Sequence, residues 1–230
     1  MHLQFSFGLA LAGLLCVASS TSAERISIGT KEFTLNFQVG DDHRLYQQPI
    51  GIEHAGWKPQ RDEEFYPQAG DGYVWEPALQ IVHADGNTST ALVCDGVTRT
   101  NKSADIEEIR FHLRDAAYPL EVTLCFRAHL AADVVEEWTE IVHHEPGSMT
   151  LARMASTSLL LETNVYLTHF FGDWAAEMLA PITERITPGV KVLDSKLGVR
   201  ASQFRNPSFF LSLGGQASET EGQVLAGSLA

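Results

Sequence analysis

Apolar and polar residues alternate along most of this chain, and that alternation limits the fold more than any other feature. It recurs at residues 33–39, 109–113, 120–126, 165–169, 209–213 and 224–228. Since neighbouring side chains of a strand point to opposite faces, each segment presents one face to a core and the other to water. Many such strands without a sustained helical pattern predict an all-β protein, a large antiparallel β-sandwich.

Three segments carry more local predictions. Asp85-Gly86, between apolar residues 81–82 and 91–93, predicts a β-hairpin. Residues 47–78 are rich in Pro, Gly and aromatic residues, which is typical of a long loop with short strands. Residues 174–184 are predicted to hold one short helical turn. No linker interrupts residues 24–230, so we expect one domain there.

The N-terminus has the pattern of a secretory signal peptide. Residues 5–20 are mostly apolar, and Thr21, Ser22 and Ala23 supply small residues before a cleavage point at Glu24. The alternative is a membrane anchor, but the apolar stretch is short for a span and no basic cluster follows it. The sequence therefore predicts a leader at residues 1–23 and a secreted or periplasmic protein.

The C-terminus predicts a strand that continues to the last residue. Residues 223–230 keep a strand-like pattern up to Ala230. Natural domains rarely end within a strand, because that leaves an unpaired edge. We therefore expect the domain to be truncated at its C-terminal end.

The charge balance and the cysteines narrow the possible partners and compartments. The net charge is −13, from 29 acidic and 16 basic residues, which disfavours nucleic acid and anionic membranes and remains compatible with neutral sugars. Only Cys94 and Cys125 follow the leader. Export would permit a disulfide between them, but both lie in apolar strands, where buried free thiols are equally expected.

Familiar catalytic and metal-binding patterns are not found in the sequence. Paired acids such as Glu136-Glu137 lie in strands, where neighbours point to opposite faces and do not converge. His143-His144-Glu145 lacks further ligands at metal-binding spacing and precedes a turn, so we expect no metal site there. Nucleophile-elbow and phosphate-loop motifs are also missing. The sequence predicts no cofactor.

One aromatic residue stands out as a candidate for ligand contact. Trp174 follows an alternating strand and the turn-permissive pair Gly172-Asp173. An indole beside a turn suits the C–H face of a sugar and offers an N–H donor. The residues alone nevertheless favour the alternative, a buried tryptophan that anchors the sandwich.

The chain resembles glycoside hydrolase family 36, the α-galactosidases of the raffinose and melibiose type. Nine motifs in the family's order carry the resemblance: QVGDD with LYQ (38–47), EFYP with EPAL (64–79), HADGN (83–87), YPLEVTL (118–124), EWTEI (137–141), FGDWAAE (171–177), VLDSKLGVRA (192–201), NPSFFLSL (206–213) and GQVLAGSLA (222–230). The resemblance covers residues 26–230. It implies the N-terminal β-supersandwich domain that precedes a catalytic (β/α)8 barrel in that family.

The resemblance also implies a function and candidate site residues. The barrel, absent from this chain, would carry the two catalytic aspartates of a retaining hydrolysis, so this chain alone should be inactive. Family members continue the last strand with Trp and Gly-Asn, which agrees with a truncated chain. Trp174 matches the tryptophan that reaches toward the sugar, while Asp62 and Asp71 are candidates for an aspartate from the early loop. The implied ligands are α-galactosides, and such enzymes are often homo-oligomers. The alternative is a stand-alone carbohydrate-binding β-sandwich.

Overall fold

The computed structural model of the protein describes residues 25–51, 56–194 and 204–229. These residues form thirteen strands: β1 (Arg25–Gly29), β2 (Thr34–Val39), β3 (Leu45–Gln47), β4 (Leu79–Val82), β5 (Leu92–Ser103), β6 (Ile106–Asp115), β7 (Leu120–His129), β8 (Val134–His143), β9 (Thr150–Met154), β10 (Tyr166–Asp173), β11 (Ala176–Arg185), β12 (Phe204–Leu213) and β13 (Gln223–Ser228). A 3₁₀ turn spans Arg61–Glu63. Within these ranges, no helix has the length and hydropathy needed to cross a membrane.

The strands form four antiparallel sheets. One sheet has the order β1-β2-β3, another has β5-β6-β7-β8, and β4 pairs with β9. The fourth sheet has the order β11-β10-β12-β13, so its central strands are β10 and β12. This arrangement confirms the predicted all-β, antiparallel architecture.

The main core lies between the β1–β3 sheet and the β5–β8 sheet. Phe37 occupies its centre and packs on Phe65, Phe111 and Phe126, with ring centroids 5.0–5.1 Å from the Phe37 ring. All four rings are buried, and each phenylalanine comes from an alternating or aromatic segment of the sequence. A smaller cluster around Val165, Leu167 and Leu211 supports the β10–β13 sheet. The alternation of β7 is visible in its burial, since its even-numbered residues from Leu120 to Ala128 all face the core.

Two local predictions are wrong. Asp85-Gly86 does form a turn, with the His83 N–H donating to the Asn87 carbonyl at 2.8 Å, but β4 pairs with β9 and β5 pairs with β6. The turn therefore connects two sheets and not the two strands of a hairpin. Residues 176–185 form strand β11 and not a helical turn, because β10 supplies an antiparallel partner strand.

The described residues begin at residue 25 and end at residue 229, so the residues at both ends of the chain lie outside them. The predicted leader at residues 1–23 is outside the described residues, so the signal peptide remains a prediction. β13 is an edge strand that ends at Ser228.

Candidate functional site

The β10–β11 hairpin places Trp174 at its tip. The last pair of the ladder is Asp173 with Ala176, which leaves Trp174 and Ala175 as a two-residue turn. The backbone N–H of Trp174 donates to Asp173 Oδ1 at 2.7 Å. Ala175 takes the left-handed conformation that closes the turn (φ 57°). These local constraints define the backbone of the turn that carries the indole.

Trp174 is 80% exposed, and Phe171 on the same hairpin is 47% exposed. The buried anchor favoured by the residues alone is therefore wrong. The ladder changes register next to Phe171 on both of its neighbours, β11 and β12. Such irregularities re-aim side chains at the rim of a sheet, and here two aromatic rings lie at the free end of the hairpin. This tip can offer a flat apolar surface and one N–H donor to a ligand.

A buried histidine supports the base of the hairpin. His169 Nδ1 lies 3.3 Å from Arg205 Nη1, and its Nε2 lies 3.4 Å from Glu184 Oε1. Burial lowers the pKa of His169, and the charge of Arg205 lowers it further. The histidine therefore favours its neutral form and links β10 to β11 and β12 as a polar contact.

Asp71 is held inside an ion network. Arg61 donates to Asp71 Oδ1 at 2.9 Å, and Arg44 also contacts the Asp71 carboxylate. Arg44 reaches Glu64 Oε1 at 3.0 Å, and Arg61 reaches Glu64 Oε2 at 2.9 Å. The side chains of Glu64 and Asp71 are only 3% and 2% exposed. Both carboxylates thus point into the protein, toward the two arginines.

Asp62 lies on the 3₁₀ turn Arg61–Glu63 and is exposed to solvent. The neighbouring Glu64 forms a bridge with Tyr46 of β3, which attaches this turn to the β1–β3 sheet. Asp62 and Asp71 therefore lie in a loop attached to the β1–β3 sheet, whereas the hairpin that carries Trp174 belongs to the β10–β13 sheet.

Sequence reasoning missed a second buried network. His83 Nδ1 contacts Glu145 Oε1 at 2.8 Å across 62 residues of chain, and its Nε2 contacts Thr90 Oγ1 at 3.1 Å. The His83 ring stacks on Tyr118 with centroids 3.6 Å apart. The hydrogen bond from His83 lowers the pKa of Glu145. In the sequence Glu145 follows His143 and His144, but its side chain hydrogen-bonds to His83. In the part of the chain that the structure describes, no three metal-binding side chains cluster.

Retaining hydrolysis requires two carboxylates about 5 Å apart and open to the substrate. Glu64 and Asp71 converge on shared arginines but are buried. Glu108, likewise buried, accepts hydrogen bonds from Arg110 Nε at 2.7 Å and Arg127 Nη2 at 3.0 Å. Each of these acids is ion-paired with arginines, so none of the three is an open carboxylate of the kind that this reaction uses.

Cys94 and Cys125 are both free and buried. The structure therefore contains the buried free thiols and not the disulfide. Burial raises the pKa of the Cys125 thiol to about 12, which keeps it protonated and unreactive.

The fold and the hairpin define a class: an antiparallel β-sandwich that presents aromatic side chains at the rim of one sheet. A family model described as the glycosyl hydrolase family 36 N-terminal domain matches residues 31–230. The chain belongs to this family, as the sequence motifs indicated.

Comparison with solved structures gives the same fold. The α-galactosidase AgaB from Geobacillus stearothermophilus aligns with a TM-score of 0.75 at 19% identity, covering 90% of this chain and 33% of that chain. A variant of AgaA from the same organism, solved with raffinose, aligns with a TM-score of 0.74 at 19% identity, covering 88% and 33%. The α-galactosidase from Lactobacillus brevis aligns at 0.67 and 19% identity, covering 84% and 31%. This chain therefore spans about a third of the length of these enzymes. No curated protein sequence matches it significantly.

Proposed function

We propose that this chain is the N-terminal domain of a secreted α-galactosidase that cleaves terminal α-galactosyl residues with retention of configuration. In this proposal the hairpin that ends in Trp174 forms one wall of the sugar pocket. The catalytic carboxylates belong to a barrel domain that this chain does not contain. The family match and the α-galactosidase relatives support the assignment.

The observation that carries the proposal is the exposure of Trp174 at a constrained turn. Trp174 is 80% exposed and Phe171 on the same hairpin is 47% exposed, so together they form an apolar surface that a ligand or a partner can cover. The flat face of the indole suits the C–H face of a hexose, and its N–H can donate to a sugar hydroxyl. Complexes of AgaA variants with raffinose and stachyose show that the structural relatives accept α-galactosides.

The roles of Asp62 and Asp71 follow from their surroundings. Asp71 accepts from Arg44 and Arg61 and is buried, so we propose that it holds the early loop in place. Asp62 is exposed and remains the aspartate of this loop that a sugar could reach, either in the same subunit or across a homo-oligomer contact.

An assay of the chain by itself tests whether catalysis depends on the barrel domain. We expect residues 24–230 to show no turnover of nitrophenyl α-galactoside above the uncatalysed rate, because the proposal assigns both catalytic carboxylates to the barrel. The buried acids Glu64, Asp71 and Glu108 are held by arginines. Turnover above the uncatalysed rate that survives purification would contradict the proposal.

A substitution tests the pocket role. In the complete polypeptide that carries this domain, Trp174→Ala should raise KM for raffinose about tenfold, the loss typical of an aromatic anchor. Trp174→Phe should retain part of the affinity, because it keeps a flat ring. An unchanged KM in Trp174→Ala would show that the domain has a purely structural role.

Mass spectrometry of the exported protein should find Glu24 as the first residue.

A further inference from the structure

A second candidate site lies at the other end of strand β11. An open cleft of about 720 Å³ separates residues 74–77, with Gln80 of β4 and Arg153 of β9, from residues 184–191. β11 begins at Ala176, next to the hairpin turn, and reaches the cleft at Arg185. Ten residues of strand at about 3.3 Å each separate the two places by roughly 30 Å. The cleft is therefore distinct from the Trp174 tip.

An exposed tryptophan lines this cleft. Trp75 is 51% exposed, and it belongs to the segment that forms one wall. Across the cleft, a Cβ placed on Gly189 would lie 3.7 Å from Trp75 Cζ3. The six-membered ring therefore lies close to Gly189, with room for about one methyl group between them, and about half of the Trp75 surface stays open. Such a ring provides the flat apolar contact that a pyranose face requires.

Two ion pairs surround the ring with fixed polar groups. Glu76 pairs with Arg153 on one wall, and Lys191 Nζ contacts Glu184 Oε1 at 2.6 Å on the other. All four side chains are between one third and one half exposed. The hydrogen bond from Lys191 lowers the pKa of Glu184. These groups therefore keep hydrogen-bonding capacity toward a ligand while their charges cancel in pairs.

We propose that this cleft binds a neutral oligosaccharide independently of the Trp174 hairpin. Its volume lies within the range of pockets that enclose small-molecule ligands, about 300–1,000 Å³. A polyanion is disfavoured by the net charge of −13 and because Arg153 and Lys191 are already paired with acids of the lining. An apolar peptide would leave four charged side chains desolvated without new partners. A sugar satisfies both the ring and the polar groups, since its hydroxyls can donate to carboxylates and accept from Arg153 and Lys191.

The test is a titration of the purified chain with stachyose, followed by saturation-transfer NMR and by tryptophan fluorescence. We expect saturable binding that Trp75→Ala weakens about tenfold or more, because truncating an aromatic anchor removes the largest contact of a small site. Trp75→Phe should retain part of the affinity. Trp138→Ala removes a partly exposed tryptophan of β8 that does not line the cleft, so it is the matched control and should bind as the unmodified chain does. Trp174→Ala is measured beside it.

Each other outcome overturns the proposal. Binding that is absent, or equal in Trp75→Ala and the unmodified chain, removes the cleft as a sugar site. Binding lost only in Trp174→Ala assigns the sugar to the hairpin, which would agree with the proposed function and refute the second site.

Discussion

Glu137 is a buried acid that should make the stability of this domain depend on pH. It lies on β8 opposite Phe126 of the neighbouring strand, on the face that packs inward. Thr157 Oγ1 donates to Glu137 Oε2. Glu137 Oε1 is shielded from solvent and has no hydrogen-bond partner among the described residues. A carboxylate with one bare oxygen inside a protein strongly favours its protonated form.

The size of the effect follows from the pKa. Burial raises the pKa of Glu137 from 4.5 to about 8, against a smaller opposing effect of the Thr157 hydrogen bond. Between these values the folded protein holds a proton that the unfolded chain has released. The free energy of unfolding therefore falls by about 1.4 kcal/mol for each pH unit of increase. The full window amounts to at most about 5 kcal/mol, a ceiling because the edge strand β8 can shift and admit water.

Urea unfolding between pH 5 and pH 9 tests this reasoning with Glu137→Gln, which has nearly the same shape and does not titrate. The variant and the unmodified chain should be similar in stability near pH 5, and the variant should be increasingly more stable toward pH 8. The difference between the two curves is decisive, because the nine histidines contribute equally to both.

Glu140→Gln is the matched control. Glu140 lies three residues further along β8, is exposed and pairs with Arg110 at 3.2 Å. Its removal should change stability by less than about 1 kcal/mol and leave the pH dependence between 5 and 8 as it was. Parallel curves for Glu137→Gln and the unmodified chain would refute the assignment of a neutral buried Glu137.

Two further predictions concern the interior. Arg44→Met should lower the free energy of unfolding by about 3 kcal/mol or more, since Glu64 and Asp71 would remain buried with fewer partners. The control Lys31→Met removes an exposed pair with Glu32 and should lower it by less than about 1 kcal/mol. Equal urea midpoints of the two variants would contradict the buried network. Cys94 and Cys125 should not react with a thiol-specific reagent until the chain unfolds, because burial raises the pKa of both thiols, and two equivalents of rapid reaction under native conditions would show that they are accessible.

The strands could be predicted because their signal is local. Alternation along a segment such as 120–126 records which side chains face the core, and the structure confirms it in β7. The choice of partner strand could not be predicted in the same way. The Asp85-Gly86 turn is real, yet β4 pairs with β9, whose residues lie about 70 positions later. Turn chemistry determines where a chain reverses, while the packing of whole sheets determines which strands pair.

For the candidate sites, too, local sequence signals and contacts between distant residues determine different properties. The sequence by itself determined that the chain is a β-sandwich of family 36 and singled out Trp174, because strand period and motif order are properties of consecutive residues. Only the tertiary structure decided that Trp174 is exposed, that Asp71 is enclosed by Arg44 and Arg61, and that Trp75 lies close to Gly189 across a cleft. Burial and ion pairing depend on residues brought together from distant parts of the chain, and no local pattern encodes that proximity.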